Sequence, residues 1–226
     1  MKDIELDKFE KLINVRFKNK NILRQIFVHR SYLNENPNFE LGHNERLEFL
    51  GDAVLELVTT EFLYNKYDNP EGELTNWRSA LVKGKMLAEI ARKININDYL
   101  FLSKGEAQSV GKARDLILAN AFEALVGGIY LDQGYKAAQT FIKNNLLIRI
   151  DEILSKKLYI DAKSNLQETL QAQKKVTPIY KVIREYGPDH AKQFEVGVYL
   201  DKKLLAKGHG ESKQSAEQDA ATNALK

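Results

Sequence analysis

The sequence lacks cysteine altogether: none of its 226 residues is a Cys. This absence excludes a disulfide framework, a thiolate metal site and a cysteine nucleophile. With only four histidines, the chain also has few ligands for a zinc site. It has no run of about 18 apolar residues and no apolar segment near its N-terminus of the kind found in signal peptides. These absences favour a cytoplasmic protein without a membrane partner.

The chain also has almost no excess of one kind of charge over the other. The formal net charge is only +3, from 34 basic and 31 acidic residues, so the overall charge does not by itself indicate a nucleic-acid partner. A hydrophobic content of 43% and a charged content of 29% are ordinary for a soluble globular protein. Evidence for a partner or a reaction must therefore come from local patterns.

The chain divides into two parts by its apolar periodicity. Up to about residue 155 the period is helical almost throughout. The predicted helices are Glu5–Asn14, Asn21–Leu33, Asn44–Tyr67, Thr75–Ile94, Asp115–Leu131 and Tyr135–Leu154. We therefore predict an all-α domain over residues 1–154, followed by a charged, unpatterned linker over residues 155–161.

The remaining residues, 162–226, predict a small α+β domain of order α-β-β-β-α. SNLQETLQAQ is typical of a short amphipathic helix, PIYKVIREY and KQFEVGVYL are typical of strands, and LDKKLLAKG is typical of a tight hairpin and a third strand. GESKQSAEQDAATNALK predicts a final helix, whose alanines suit close packing on a sheet. A domain of about 65 residues is near the lower size limit for independent folding.

The helix predicted from Asn44 carries its acids on one side. At roughly 100° per residue, the predicted core face consists of Leu47, Leu50, Val54, Leu57 and Val58. The nearly opposite face carries Glu45, Glu48, Asp52 and Glu56, together with the ring of Phe49. A solvated acidic face is the more common explanation for such a pattern. The ring is either an incidental exposed aromatic or an interface anchor.

A second acid lies in an unusually apolar helix. In LILANAFEALVGGI the only polar side chains are Asn120 and Glu123, and an unpaired buried carboxylate is costly. Glu123 is therefore expected either to pair with Lys or Arg, or to cap a neighbouring helix, or to bind a divalent metal together with the acids after Asn44. Carboxylate and amide oxygens suit Mg²⁺ or Mn²⁺. The residues alone leave these alternatives open.

The motif HNERLEFLGDAVL is very similar to the signature of ribonuclease III, the bacterial double-stranded-RNA endonuclease. Further matching pieces occur in the family's order: HRSYLNE, EGELT, LSKGE and ILANAFEALVGGIYLD. The C-terminal part resembles the double-stranded-RNA-binding domain, so the resemblance covers nearly the whole chain. It implies metal-dependent hydrolysis of double-stranded RNA to 5′-phosphate and 3′-hydroxyl ends by a homodimer. It also implies processing of ribosomal RNA precursors and other structured transcripts, without an organic cofactor.

The resemblance also implies roles for individual residues. The metal-site positions, for Mg²⁺ with Mn²⁺ as a substitute, are Glu48, Asp52, Asn120 and Glu123, of which Asp52 and Glu123 are catalytic. Glu45 and Glu71 match accessory acids, and Phe49 matches a ring that enters the dimer partner. The family often has Asp where this chain has Asn120, which removes one negative charge from the site.

The same resemblance assigns RNA contacts in the C-terminal domain. Gln167 and Gln171 match minor-groove contacts, and His190 matches a second minor-groove contact. Ser212 and Lys213 match a phosphate clamp at the start of the last helix. Two neighbours, Gln214 and Glu217, make that corner less basic than is usual in the family, whose members typically carry more lysine there. We therefore predict weaker RNA binding than in lysine-rich relatives. Without the resemblance, these residues are typical of ordinary solvent-facing side chains.

Two other classes of function remain open at this point. A catalytically silent RNA-binding or ribosome-assembly protein would use the same fold, but we would then expect the acids to be lost, and only one position is neutral. A different metal-dependent phosphohydrolase with an RNA tether is the other alternative, and the sequence carries no separate motif for it.

Overall fold

The computed structural model describes residues 6–174, 176–188 and 192–226. The chain forms two compact units, the first ending at Tyr159 and the second beginning at Ile160. Tyr159, inside the segment predicted as a linker, packs its ring against Trp77 of the first unit. In the described ranges, no helix combines the length and the apolar character that crossing a membrane requires.

The first unit is helical, as predicted. Its α-helices in the described residues are α1 (Leu6–Ile13), α2 (Lys20–Ile26), α3 (Arg30–Glu35), α4 (Glu45–Lys66), α5 (Glu71–Leu81), α6 (Gly84–Lys93), α7 (Lys104–Ala107), α8 (Gly111–Gln133), α9 (Tyr135–Asn145) and α10 (Ile150–Ser155). Short 3₁₀ turns span Ile96–Tyr99 and Leu147–Arg149. The long helix α8 is central: α2, α4, α6 and α9 all pack against it.

Helices α4 and α8 cross in direct backbone contact at two glycines. A Cβ atom placed on Gly51 would overlap the backbone oxygen of Glu123 and would lie 2.8 Å from the backbone nitrogen of Gly127. A Cβ atom on Gly127 would overlap the backbone oxygen of Leu47. Only residues without side chains allow two helices to approach this closely. The crossing therefore fixes which residues of α4 lie beside α8.

This contact corrects the predicted core face of α4. Leu47, Val54 and Val58 are buried as expected, but the side chain of Leu57 is 58% exposed. Gly51 and Leu55 are buried instead. The buried face is thus centred on the glycine, which a hydrophobicity pattern does not recognise as a contact residue.

Three of the predicted helices are each divided in the structure, and one of them, predicted over Tyr135–Leu154, becomes α9 and α10 with a 3₁₀ turn between them. The helix predicted over Asn21–Leu33 breaks after α2, because Val28 forms an isolated parallel bridge with Phe101. There the His29 nitrogen donates to the Phe101 oxygen at 3.1 Å. The helix predicted over Thr75–Ile94 is also two helices: α5 packs on α4 and α10, whereas α6 packs chiefly on α8.

The second unit has the predicted α-β-β-β-α order. Helix α11 (Ala162–Lys174) is followed by strands β1 (Ile179–Tyr186), β2 (Gln193–Leu200) and β3 (Lys203–Gly210) and by helix α12 (Lys213–Ala224). The strands form one antiparallel sheet in the order β1-β2-β3. Leu166 and Leu170 of α11 and Ala220 and Ala221 of α12 share its core with Val198 of β2. The predicted fold class is therefore confirmed for both units.

Candidate active site

The crossing of α4 and α8 brings three predicted metal-site acids together. Glu48 and Asp52 lie one turn apart on α4, on either side of Gly51, whose backbone contacts that of Glu123 on α8. Asn120 lies one turn before Glu123 and makes a side-chain hydrogen bond to Glu48. The crossing thus converts two separate sequence motifs into one cluster of four oxygen-bearing side chains.

Two carboxyl groups of this cluster, those of Glu123 and Glu48, have a raised pKa. The pKa of Glu123 rises from 4.5 to about 7, mainly because the side chain is partly buried, and further because Asp52 and Glu48 are negatively charged. The pKa of Glu48 is also raised, first by burial and then by the charge of Glu45, while the hydrogen bond from Asn120 opposes the increase. The cluster therefore holds mutually repelling charges in a partly desolvated position.

No described lysine or arginine forms an ion pair with Glu48, Asp52 or Glu123. The expectation that Glu123 pairs with such a residue therefore has no support in the part of the chain that the structure describes. A divalent cation would relieve the repulsion among these acids, and their oxygens, with the amide oxygen of Asn120, are the ligands that Mg²⁺ and Mn²⁺ prefer. The chemistry of these donors fits such an ion, whereas within the described ranges no three or more acid or histidine side chains converge closely enough to form a ready-made metal site.

Two other acids of the same helix have intramolecular partners. Glu56 forms an ion pair with Arg78 of α5, in which Nε of Arg78 and Oε2 of Glu56 are 2.9 Å apart. Glu45 lies 3.5 Å from the guanidinium of Arg30 and 3.7 Å from Nδ1 of His43. The acidic face of α4 is therefore not uniform: Glu45 and Glu56 have basic partners, whereas Glu48 and Asp52 have no ion-pair partner among the residues that the structure describes. The sequence carries no local sign of the pairing of Glu56, because Arg78 is 22 positions away.

Glu71 lies apart from this group. It occupies the exposed first turn of α5 and lines an open groove of about 700 Å³ together with Tyr64 and Arg78. Glu71 is not among the groups that shift the pKa of Glu48 or Glu123. Its predicted accessory role stays a prediction.

An apolar stripe runs along the exposed side of α4. The side chains of Phe49, Leu57 and Tyr64 are 81%, 58% and 77% exposed, and their spacing places them on one face of the helix. Beside Phe49, a shallow groove is lined by Leu50 and Leu131. Large apolar side chains exposed on one helix face make that face a candidate contact region for another macromolecule.

The predicted RNA contacts of the second unit are placed as follows. Gln167 and Gln171 are exposed on α11, one turn apart. Ser212 is the N-cap of α12, where its hydroxyl accepts from the Ser215 nitrogen at 3.1 Å. Lys213 begins α12. His190 lies outside the described residues.

Two acids near the start of α12, Glu217 and Glu185, pair with different lysines. Glu217 forms an ion pair with Lys163 of α11, with Nζ and Oε2 2.6 Å apart, and thus links the two helices. Its charge is therefore already compensated, which weakens the argument that Glu217 makes the corner less basic. Lys213 instead contacts Glu185 of β1, which the sequence did not single out.

The raised pKa of Glu123 predicts a measurable effect on stability without metal. A carboxyl whose folded pKa exceeds its unfolded pKa stabilises the fold when protonated, and this contribution is lost as pH rises from about 4.5 through about 7. In chelator at pH 8, Glu123→Gln should therefore raise the free energy of unfolding by about 1 to 2 kcal/mol, allowing for partial exposure. Thermal melts should shift up by about 2 to 8 °C.

The same substitution should have almost no effect near pH 4.5, where the carboxyl is already neutral. Glu56→Gln is the matched control, because it also removes one negative charge, from α4 instead of α8, but breaks the ion pair with Arg78. Its melting temperature at pH 8 should be unchanged or lower. A fall in the melting temperature of Glu123→Gln at pH 8 would contradict the assignment of repulsion to this cluster.

Comparison with known proteins agrees with both units. A family model described as ribonuclease-III-like matches residues 19–150, and a double-stranded RNA binding motif matches residues 162–226. Ribonuclease 3 of Streptococcus equi subsp. zooepidemicus is 45% identical over 217 residues, which cover 96% of this chain and 94% of that protein. Ribonuclease 3 of Dehalococcoides mccartyi is 43% identical over 223 residues, covering 98% and 94%.

Among solved structures, the nuclease domain of ribonuclease III from Campylobacter jejuni is similar to the first unit. It is 38% identical, with a TM-score of 0.56, and the match covers 62% of this chain and 98% of that one. The acid cluster at the helix crossing, the α-β-β-β-α unit and these relatives lead to one conclusion. The chain belongs to the ribonuclease III family and is an endoribonuclease that carries a double-stranded-RNA-binding domain.

Proposed function

We propose that this chain hydrolyses double-stranded RNA in a reaction that requires Mg²⁺, with Mn²⁺ as a substitute, and leaves 5′-phosphate and 3′-hydroxyl ends. The observation that carries the proposal is the group of carboxylates at the α4–α8 crossing, which repel one another and have no described cationic partner. Family membership supports ribosomal RNA precursors and other structured transcripts as substrates, and the cytoplasm as the location.

The proposed mechanism assigns a task to each residue of the cluster. Glu48, Asp52 and Glu123 would hold the divalent ion through carboxylate oxygens, with Asp52 and Glu123 nearest the reaction, and Asn120 would add its amide oxygen. Bound there, the ion would make water nucleophilic near neutral pH and stabilise charge on the phosphate. Because its side chain is an amide, Asn120 also has an N–H group, which donates a hydrogen bond that holds Glu48 in place. Its lack of charge predicts weaker metal binding than an aspartate would give.

Recognition of the duplex would come from the second unit. The minor groove of RNA is shallow and lined by 2′-hydroxyl groups, which side-chain amides can bind. Gln167 and Gln171, exposed one turn apart on α11, suit that contact. Lys213 and the free backbone N–H groups at the start of α12 suit a phosphate. His190 is proposed as a further minor-groove contact on the strength of the family resemblance.

The reaction is tested by incubating a long, perfect RNA duplex with Mg²⁺, with Mn²⁺ and with chelator. Cleavage should need either ion, and labelling of the product ends should show phosphate at the 5′ end. Binding of the duplex without cleavage under every metal would overturn the enzymatic proposal and favour an RNA-binding role for this chain. Cleavage that continues in chelator would overturn the metal requirement.

The apolar stripe of α4 supports a homodimer. Phe49 is a large, exposed ring at one end of the stripe, and the related Campylobacter jejuni structure is described in terms of a region involved in dimer formation. A symmetric interface would place the same stripe on both subunits. Each subunit would then cut one strand of the duplex.

Phe49→Ala should weaken this dimer by about 30-fold or more, because a buried aromatic anchor typically contributes at least about 2 kcal/mol to an interface. Sedimentation across a dilution series would measure the change in the dissociation constant. Leu12→Ala on α1, which removes a leucine side chain that is 49% exposed, is the control and should leave the dimer intact. An unchanged dissociation constant for Phe49→Ala would exclude the ring from the interface.

A further inference from the structure

One carboxylate in the second unit contacts two lysines. Oε1 of Glu185, near the end of β1, lies 3.2 Å from Nζ of Lys213, the first residue of α12. Its Oε2 lies 3.3 Å from Nζ of Lys192, which precedes β2. The ammonium of Lys213 also lies 5.7 Å from the centre of the Phe194 ring. The side chain of Lys213 remains 59% exposed, so it is accessible to a ligand while paired.

The pairing affects what Lys213 can offer a phosphate. An exposed ion pair contributes little to stability, so the lysine is free to exchange one partner for another. The carboxylate stays close by during that exchange, however, because the backbone of Glu185 is held in β1 and its second oxygen is paired with Lys192. At a separation of a few ångströms it repels a bound phosphate, and the separation is shorter than the screening length of about 8 Å at physiological salt.

We propose that Glu185 limits the affinity of the second unit for duplex RNA by neutralising Lys213 at the start of α12. The proposal rests on the proposed role of Lys213 as a phosphate contact. Glu185 is thus a determinant of affinity that itself makes no favourable contact with RNA. The tight pairing of its carboxylate is reflected in a lowered pKa, caused first by Lys213 and then by Lys192.

A second pair in the same unit supplies a matched control. Glu195 of β2 contacts Lys207 of β3, with Oε1 and Nζ 2.9 Å apart. Glu195→Gln and Glu185→Gln therefore change the net charge of the protein equally; the first releases Lys207 from its ion pair, and the second releases Lys213 together with Lys192. Only Glu185 has its lysine at the N-terminus of α12. A difference between the two variants thus separates a local effect from an overall electrostatic one.

The experiment measures binding of the full chain to a perfect RNA duplex, in chelator and in a Glu123→Gln background so that no cleavage occurs. Glu185→Gln should tighten the dissociation constant about threefold, or about 0.7 kcal/mol, which is the repulsion expected across about 6 Å in water. The slope of log affinity against log salt should steepen by up to about one unit, because one more cation becomes available to the RNA. Glu195→Gln should change neither quantity.

Lys213→Gln distinguishes failure of this proposal from failure of the proposed RNA contact. It should weaken binding, and it should abolish the gain from Glu185→Gln when the two are combined. If Lys213→Gln weakens binding but Glu185→Gln leaves it unchanged or weaker, Glu185 does not limit affinity and the inference is overturned alone. If Lys213→Gln has no effect, the contact at α12 fails and the inference fails with it. Thermal melts of each variant establish that it is folded.

Discussion

Glu123→Gln is expected to reduce the rate of duplex cleavage in saturating Mg²⁺ by about 10³-fold or more. The substitution keeps the size and hydrogen-bonding capacity of the side chain but removes the charge that would hold the ion beside the reacting phosphate. Loss of about 4 kcal/mol of electrostatic stabilisation in the transition state corresponds to this factor. Single-turnover rates with enzyme in excess would measure the cleavage step without a contribution from product release.

This loss must be separated from the general effect of removing one negative charge from the first unit. Glu56→Gln removes an equal charge two turns away from Glu48, at a carboxylate already neutralised by Arg78, and should cleave at nearly the wild-type rate. In chelator, the Glu123→Gln protein and the unmodified chain should bind the duplex with equal affinity. If it retained more than about a tenth of the wild-type rate at saturating metal, Glu123 would have no direct role in the reaction.

Gly51→Ala is expected to destabilise the first unit by about 3 kcal/mol or more. The added methyl group would overlap the backbone of Glu123, and a backbone cannot rotate away as a side chain can. The two long helices would have to separate, which costs more than ordinary overpacking of about 1 to 3 kcal/mol. The better helix propensity of alanine, at most about 1 kcal/mol, offsets only part of this.

Thermal or urea denaturation would measure the effect, with Gly72→Ala as its control. Gly72 is also helical, in α5, but a Cβ there would meet no atom within 4 Å. Gly72→Ala should therefore be neutral or should stabilise the protein by up to about 1 kcal/mol, from helix propensity alone. A stable Gly51→Ala protein with unaltered metal affinity would show that α4 and α8 can shift without disturbing the acids.

The sequence predicted the two-unit architecture because its evidence is local. Helical and strand periods, and the change between them, depend on neighbouring residues only. The predicted continuous helices were wrong where a distant contact divides them. Helix α2 ends before Val28, which forms a bridge with Phe101, 73 positions later. The residues around Val28 include no Gly or Pro that would indicate a break.

The same distinction applies to the candidate site. Glu48 and Asp52 were predictable because they share one helix, and Glu123 because a lone acid in an apolar helix is costly. That these acids meet depends on the contact between Gly51 and Gly127, two residues that carry no hydrophobic signal. The helical spacing of apolar residues placed Leu57 in the core for the same reason, although its side chain is 58% exposed. The pair Glu185–Lys213 joins a strand and a helix that only the folded sheet brings together.

Glu48 and Phe49 are consecutive residues on α4, so a proposed metal ligand and a proposed interface ring share one helical turn. If a partner subunit alters the position of that turn, dimerisation and metal binding become thermodynamically linked. Whatever factor dimerisation contributes to metal affinity, the metal must then contribute equally to dimer affinity. The enzyme would thus respond to its own concentration, with dilution weakening metal binding and added Mg²⁺ opposing dissociation.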